Sequence, residues 1–331
     1  MNYSLRLCAQ ALAAAMAMAY AAPGWTQDDD QGIARSANDD AVPAAKQGAA
    51  GHGSWSVEYA HSLDHGDYQG PAGADSGQVQ FQSIILAGSY FVTDHWEMRA
   101  SIPYARAKAD GLQQHPQLPC PPPGGTDADC SVTHVDNGDY HGTWTDWDLG
   151  LNYHTTIADN YLLTPSFDVY VPSHNYAYYG SAVVGQRVTK YGIGILLEHQ
   201  LAFSDFYYTI DYQYVFKPRI LGINSNYNEL AVNLGYFVTP KLGLRLITDL
   251  KVGQGVSDAQ IGAAIGDGDF NNPLWRLHDK IRLQNHAIAG IGADYTINDK
   301  YLLSTSVLHS FWGQSNGILK YGLDVKLTRL F

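Results

Sequence analysis

The chain has 331 residues, a formal net charge of -12, only 16% charged residues, 33 glycines and 23 tyrosines. The acidic balance excludes a polyanion-binding protein, so nucleic acid is not an expected partner. Low charge with thinly spread, alternating apolar residues argues against a helical soluble core and for strands that face two different media.

At the N-terminus Arg6 precedes an alanine-rich apolar run from Leu7 to Met18, followed by the small residues Ala19, Ala21 and Ala22. This reads as a secretory signal peptide over residues 1–21, cut after Ala21. The run is too short to span a membrane comfortably, and no other stretch approaches the ~18 uninterrupted apolar residues of a spanning helix. Cys8 lies before the apolar region rather than after it, which argues against lipid attachment there. Residues 22–53, with Asp28, Asp29, Asp30, Asp39 and Asp40 among Ala, Gln and Gly, read as a disordered periplasmic tail.

From residue 54 to 331 the pattern is that of strands. Five segments run from apolar residues through a tight polar pair and back: YFVTDHWEMR, HTTIADNYLLT, LAFSDFYYTI, YFVTPKLGLR and YTINDKYLLST. Their turns centre near Asp94, Asp159, Asp205, Pro240 and Asp299, residue types that suit tight turns. Longer connections lie between them, and the asymmetry of short and long connections is that of an outer-membrane barrel. The expected fold is therefore all-β: a closed antiparallel transmembrane β-barrel of about twelve strands with short periplasmic turns and longer extracellular loops. The strands are expected at 54–64, 78–92, 96–108, 143–156, 160–172, 187–202, 206–217, 227–238, 241–253, 281–296, 300–312 and 318–331. An even count puts both termini in the periplasm.

The loop between the third and fourth strands contains CPPPGGTDADC. In an oxidising compartment Cys120 and Cys130 read as a disulfide closing one loop, and their spacing does not suit a metal site. HVDNGDYHG, with His134, Asp136, Asp139 and His141, has the composition of a solvated loop more than of a metal centre. DGDFNN, from Asp267, begins like a calcium loop but carries Asn272 and His278 where that motif needs Gly and Glu. The expectation is no metal and no cofactor.

Alternation fixes which side chains face water in the lumen. In the seventh strand Phe206, Tyr208, Ile210, Tyr212, Tyr214 and Phe216 oppose Thr209, Asp211 and Gln213; in the ninth, Leu242, Leu244, Leu246, Leu250 and Val252 oppose Arg245, Asp249 and Lys251. A one-residue slip would place each basic residue in hydrocarbon at about 2 to 4 kcal/mol near the midplane. The lumen-lining candidates are Glu97, Arg99, Asp148, Asp168, Glu198, Asp211, Arg245, Asp249, Lys251, Asp324 and Lys326, and Lys320 is placed with them. Acids outnumber bases on the inward phase, so a conducting lumen would prefer cations unless these residues pair across strands and fill the interior. Trp96, Tyr161, Phe206, Phe237 and Tyr301 are expected in a periplasmic aromatic girdle, and Tyr104, Trp147, Tyr214 and Phe311 in a second one.

The last segment, YGLDVKLTRLF, alternates and ends on Phe331, the form of the terminal strand read by the barrel insertion machinery. It is expected to pair with the strand near Trp55 to Leu63. HSFWGQSNG, with His309, Ser315 and Asn316, weakly resembles the Ser, His and Asn of twelve-stranded outer-membrane phospholipases, but here His309 and Ser315 are six residues apart with a turn between them. No catalytic residue is assigned.

GSYFVTDHWEMRASIPYARAKADG, DLGLNYHTTIADNYLLTPSFDVYVPS and the Phe331 ending resemble outer-membrane proteins grouped with the meta-pathway of phenol degradation and treated as transporters. The likeness covers about residues 78–331. It implies passive passage of small, often aromatic or hydrophobic, molecules across the bacterial outer membrane. A non-conducting structural or adhesive barrel and an outer-membrane lipid hydrolase are the alternatives. Expected partners are outer-membrane lipid and lipopolysaccharide, the insertion machinery and small solutes; no feature specifies an oligomeric state.

Overall fold

The computed structural model describes residues 50–65, 78–110, 135–158, 161–201, 204–257, 260–261, 263, 272–314 and 318–331. The expected signal peptide, nearly all of the expected N-terminal tail, Cys120, Cys130, Asp159, Asp267 and the Ser315–Asn316 pair lie outside the described residues.

Fourteen strand segments follow in order: β1 Gly53–His65, β2 Gln78–Phe91, β3 Trp96–Asp110, β4 His141–Trp144, β5 Asp146–Tyr153, β6 Thr155–Ala158, β7 Tyr161–Pro172, β8 Lys190–Gln200, β9 Phe206–Phe216, β10 Tyr227–Thr239, β11 Leu242–Gly253, β12 Asn285–Asn298, β13 Tyr301–Gln314 and β14 Ile318–Leu330. Two short helices, α1 Pro273–Arg276 and α2 His278–Ile281, lie in the connection from β11 to β12. β4, β5 and β6 form one strand of the wall, so the barrel has twelve. The first break, at Thr145, faces Pro103: the Thr145 amide donates to the Pro103 carbonyl at 3.0 Å, but proline has no N–H to return. The second falls at His154, whose amide donates to the His95 carbonyl at 2.8 Å.

All neighbouring pairs are antiparallel, and the ring closes where β1 pairs with β14 from Ser54 opposite Leu330 to His65 opposite Ile318. The terminal residue extends the seam: Phe331 and Gly53 exchange both backbone hydrogen bonds at 3.0 Å. Closure leaves no unpaired edge, which a lipid environment demands. The one tight extracellular turn described in full, between β9 and β10, has positive φ at both Leu221 (53°) and Gly222 (78°), the form that matches strand twist in a two-residue hairpin. Between β13 and β14 the ladder stops at Leu308 opposite Gly322. Above it, side chains bridge the strands: the Leu319 amide donates to Ser310 Oγ at 3.3 Å, and His309 Nδ1 lies 2.8 Å from the Lys320 carbonyl.

Burial alternates as a water-filled or polar interior inside a lipid-facing wall requires. Trp55, Val57, Tyr59, Ile84, Leu86, Met98, Leu149, Leu244, Leu246, Ile291, Val307, Val325 and Leu327 are exposed, while Ser56, Glu58, Asp168, Asp211, Asn233, Arg245, Ser304, Asp324 and Lys326 are buried. The core is polar and the surface apolar, the reverse of a soluble protein. Trp96, Phe206, Tyr104, Trp147 and Phe311 are exposed, at the ends where girdles belong. Phe237 does not join them. It shares the inward phase of Asn233 and Gly235 and packs on Tyr207 with ring centroids 4.9 Å apart; Tyr236 takes the outward place. Lys320 is exposed beside the register shift between β1 and β14.

Candidate functional site

The interior has two levels, a ring of polar side chains on the wall and a cap in the extracellular mouth. On part of the wall, large inward residues face glycines on the neighbouring strands, and elsewhere the inward residues are small. One row runs Tyr207, Gly235, Arg245, Gly292, Ser306, Asp324, Ala60, Ser83 and Ala105, each directly opposite the next. A second runs Arg99, Gly150, Asp168 and Gly192. The large side chains lie across the glycines. A Cβ at Gly235 would sit 2.0 Å from the Tyr207 ring, one at Gly150 2.5 Å from Asp168 Oδ1 and 2.6 Å from Arg99 Nε, and one at Gly192 2.5 Å from Gln213 Nε2. Long side chains therefore run along the wall rather than across the bore.

The charges are matched. Arg99 donates from Nη2 to Asp168 Oδ1 at 2.5 Å, and Gln213 Nε2 donates to Asp168 Oδ2 at 2.6 Å, leaving Asp168 0% exposed. Arg245 forms an ion pair with Asp294: Nη2 donates to Oδ1 at 3.2 Å, and Nε lies 2.7 Å from Oδ2. Glu97 meets His154 Nε2 at 2.9 Å and accepts from Asn152 Nδ2 at 3.0 Å. His286 Nε2 lies 3.0 Å from Asp249 Oδ1, Lys251 lies 4.0 Å from Glu229, and Lys326 is directly opposite Glu58. Asp148, Glu198 and Asp211 stand on the same inward phase, opposite Tyr170, Thr209 and Ala231 respectively. Apart from Lys320, these residues share the buried, inward phase of their strands. Many of them meet a partner of complementary chemistry on a nearby strand.

Arg245 and Asp294 are the most deeply buried of the pairs, with side chains 0% and 6% exposed. Replacing Arg245 by alanine takes the nearest counter-charge from the buried Asp294 carboxylate and is expected to cost about 3 to 5 kcal/mol. Thermal unfolding of the refolded barrel followed by circular dichroism checks this, and an unchanged midpoint would contradict it.

The cap is built from the β7–β8 connection, residues 173–189, and from α1, α2 and the residues after them. Ala182, Val183 and Val184 pack with Val135 against Val79 and Phe81 of β2 and Ala105 and Ala107 of β3, all on the inward face. The loop thus lies inside the wall. Asp136 holds it: its Oδ2 accepts from the Ser181 amide at 2.9 Å and its Oδ1 from the Ala182 amide at 2.8 Å. Gly180, at φ 121°, gives its amide to Asp279 Oδ2 at 3.3 Å, and Gln186 Nε2 donates to the Asp279 carbonyl at 2.7 Å. Lys217 at the top of β9 donates to Gln186 Oε1. Arg187 and Lys280 flank the Tyr178 ring at 4.5 and 3.8 Å from its centroid. Trp275 stacks on His278 and donates from Nε1 to Tyr179 Oη at 2.7 Å; burial pushes the Tyr179 phenol well above its ordinary range, so it stays a neutral acceptor.

The connection between the expected strands 160–172 and 187–202 is expected to be a long extracellular loop, and Asp136 stands in the sequence within a metal-like cluster. The Asp136 carboxylate is committed to backbone amides, and His141 Nε2 lies 2.7 Å from Asn137 Oδ1 instead of turning toward it. The available signal was the loop's own composition: Tyr176, Tyr178, Tyr179, Val183 and Val184 are too apolar for a solvated tip.

No protein-family model matches the chain, and no curated protein does. Among solved structures it is similar to an outer membrane channel from Pseudomonas putida F1, with TM-score 0.62 and 13% identity over 87% of this chain and 99% of that one. The chain folds as a bacterial outer-membrane β-barrel. Looser likenesses include the NanC porin (TM-score 0.47, 12% identity, 83% of this chain, 98% of that one) and the CymD monoaromatic hydrocarbon channel (TM-score 0.41, 10% identity, 86% and 90%). At such identities the likeness concerns the fold alone.

Proposed function

We propose that the barrel is a passive channel for small solutes, closed at its extracellular mouth by the two-loop cap. The observation that carries this reading is the alternation of large residues and glycines on the inner wall, which lays Tyr207, Arg99 and Gln213 flat instead of letting them bridge the lumen. A barrel stabilised as a solid body would interdigitate such residues across its axis. The inner faces of β2 and β3 add an apolar strip, Val79, Phe81, Ile85, Ala87, Pro103, Ala105 and Ala107, which favours small hydrophobic or aromatic solutes and agrees with the resemblance to proteins grouped with phenol degradation. The acid excess that suggested cation preference is reduced by the ion pairs of Arg99, Arg245 and Lys251 with Asp168, Asp294 and Glu229, so discrimination by charge should be weak.

Planar-bilayer recording of the refolded protein tests the reading. Brief openings with a reversal potential near zero in a salt gradient are expected. A bilayer that stays silent with both the wild type and a cap-weakened variant would end the channel reading. It would favour a non-conducting barrel instead, to which the deep burial of Asp168 and Asn233 already lends some weight.

A further inference from the structure

The outer face of β2, β3 and the segment leading into β4 changes character abruptly near the extracellular rim. Toward the periplasm it presents Ile84, Leu86, Ile102, Tyr104 and Trp144, all exposed, with the Tyr104 and Trp144 rings edge to face at 5.5 Å. Two residues further along β3, about 7 Å at strand rise, the same face presents Arg106 and then Lys108. Both cations address one ring: Arg106 Cζ lies 4.8 Å and Lys108 Nζ 5.5 Å from the centroid of Tyr140. Tyr140 Oη donates to Gln80 Oε1 at 2.9 Å, and Gln82 Oε1 accepts from Arg106 Nε at 2.8 Å, so the group is a linked platform and not a set of loose side chains.

We infer that this platform is a binding site for the phosphorylated head of an outer-leaflet glycolipid, the lipid A part of lipopolysaccharide. Arg106 uses Nε on Gln82, and its Nη edge makes no hydrogen bond to a described residue. That edge is the part of a guanidinium that takes phosphate in a fork. Lys108 lies 2.9 Å from Asp110 Oδ2, but an ammonium has three donors and one carboxylate does not exhaust them. No other described strand carries two bases within two residues of each other on its outward face, in a chain whose net charge of -12 would otherwise repel an anionic leaflet. The apolar strip beneath, from Tyr104 to Ile84, is where the acyl chains of a molecule anchored by its phosphate would lie, and a free phosphate has no use for it. The inference rests on the outer-membrane fold and is independent of whether the lumen conducts.

The test uses the full-length refolded protein in detergent and native mass spectrometry with lipid A, dephosphorylated lipid A and inorganic phosphate. Wild-type protein should retain bisphosphorylated lipid A at least tenfold better than the dephosphorylated form. The Arg106→Gln, Lys108→Gln double variant should lose that preference, while Arg219→Gln, an exposed base in the β9–β10 turn, should keep it. Equal retention of the two lipids by the wild type overturns the proposal whatever the variants do, as does an undiminished preference in the double variant. Full competition by millimolar inorganic phosphate would replace the lipid with a free phosphate as occupant and also overturn it.

Discussion

Replacing Asp136 by alanine is expected to raise the single-channel conductance of the barrel severalfold, or to turn a mostly closed channel into a mostly open one. The Asp136 side chain is buried and its two oxygens are the acceptors for the Ser181 and Ala182 amides. Without them two donors inside the mouth lose their partners, at about 1 to 3 kcal/mol each. The opposing contribution is the packing of Val183 and Val184 on Val79 and Phe81, about 1.5 to 3 kcal/mol for each side chain fully buried. These magnitudes are similar, so the clasp decides whether the loop stays in. Wall strands keep their ladders, and the loss should be local opening, not unfolding. Bilayer recording of Asp136→Ala beside the wild type checks this. Identical conductance and open probability, with the variant correctly folded by circular dichroism, would remove the cap from the account.

The parts of this molecule that were legible from sequence are those that repeat a physical constraint residue by residue. In β9 and β11 a shift of one would expose Asp211, Arg245 or Lys251 to lipid, so the phase has a single solution, and the structure has it. The turns at Asp94, Pro240 and Asp299 and the closing pair of β14 with β1 follow from the same periodicity. Phe237 was ambiguous for a physical reason: aromatic residues suit both the girdle and a strand interior, and its neighbour Tyr236 fits the girdle equally well. The break at Thr145 was hidden for a different reason, because its cause, Pro103, lies in another strand. The cap was least legible of all. Its clasp joins Asp136 to Ser181 and its second anchor joins Gly180 to Asp279, contacts between loops with no period and no fixed register.

The acids on the inward phase stand out in the sequence as a group, but their electrostatic meaning depends on partners that only the register supplies. Arg99 and Asp168 belong to strands separated by β5, and they meet because Gly150 between them has no side chain. The same geometry makes a glycine, and not a charged residue, the most sensitive position on the wall.

At Gly235 even a methyl group is expected to have a large effect. Its Cβ would fall 2.0 Å from the Tyr207 ring, well inside van der Waals contact. Tyr207 is buried with Phe237 beside it, so the ring has no room to slide along the wall and must swing toward the axis. Overpacking of this kind typically costs about 1 to 3 kcal/mol, and here the displaced group would enter the conducting path. In the Asp136→Ala background, where the cap no longer limits current, Gly235→Ala should lower both the unfolding midpoint and the conductance. Adding Tyr207→Ala should restore the conductance, because the obstructing group is gone; the two positions face each other directly and their effects should be strongly non-additive. If Gly235→Ala leaves the current unchanged, or if Tyr207→Ala fails to rescue it, the large side chains of the inner wall do not set the bore, and the alternation of glycine with tyrosine and arginine is a packing device alone.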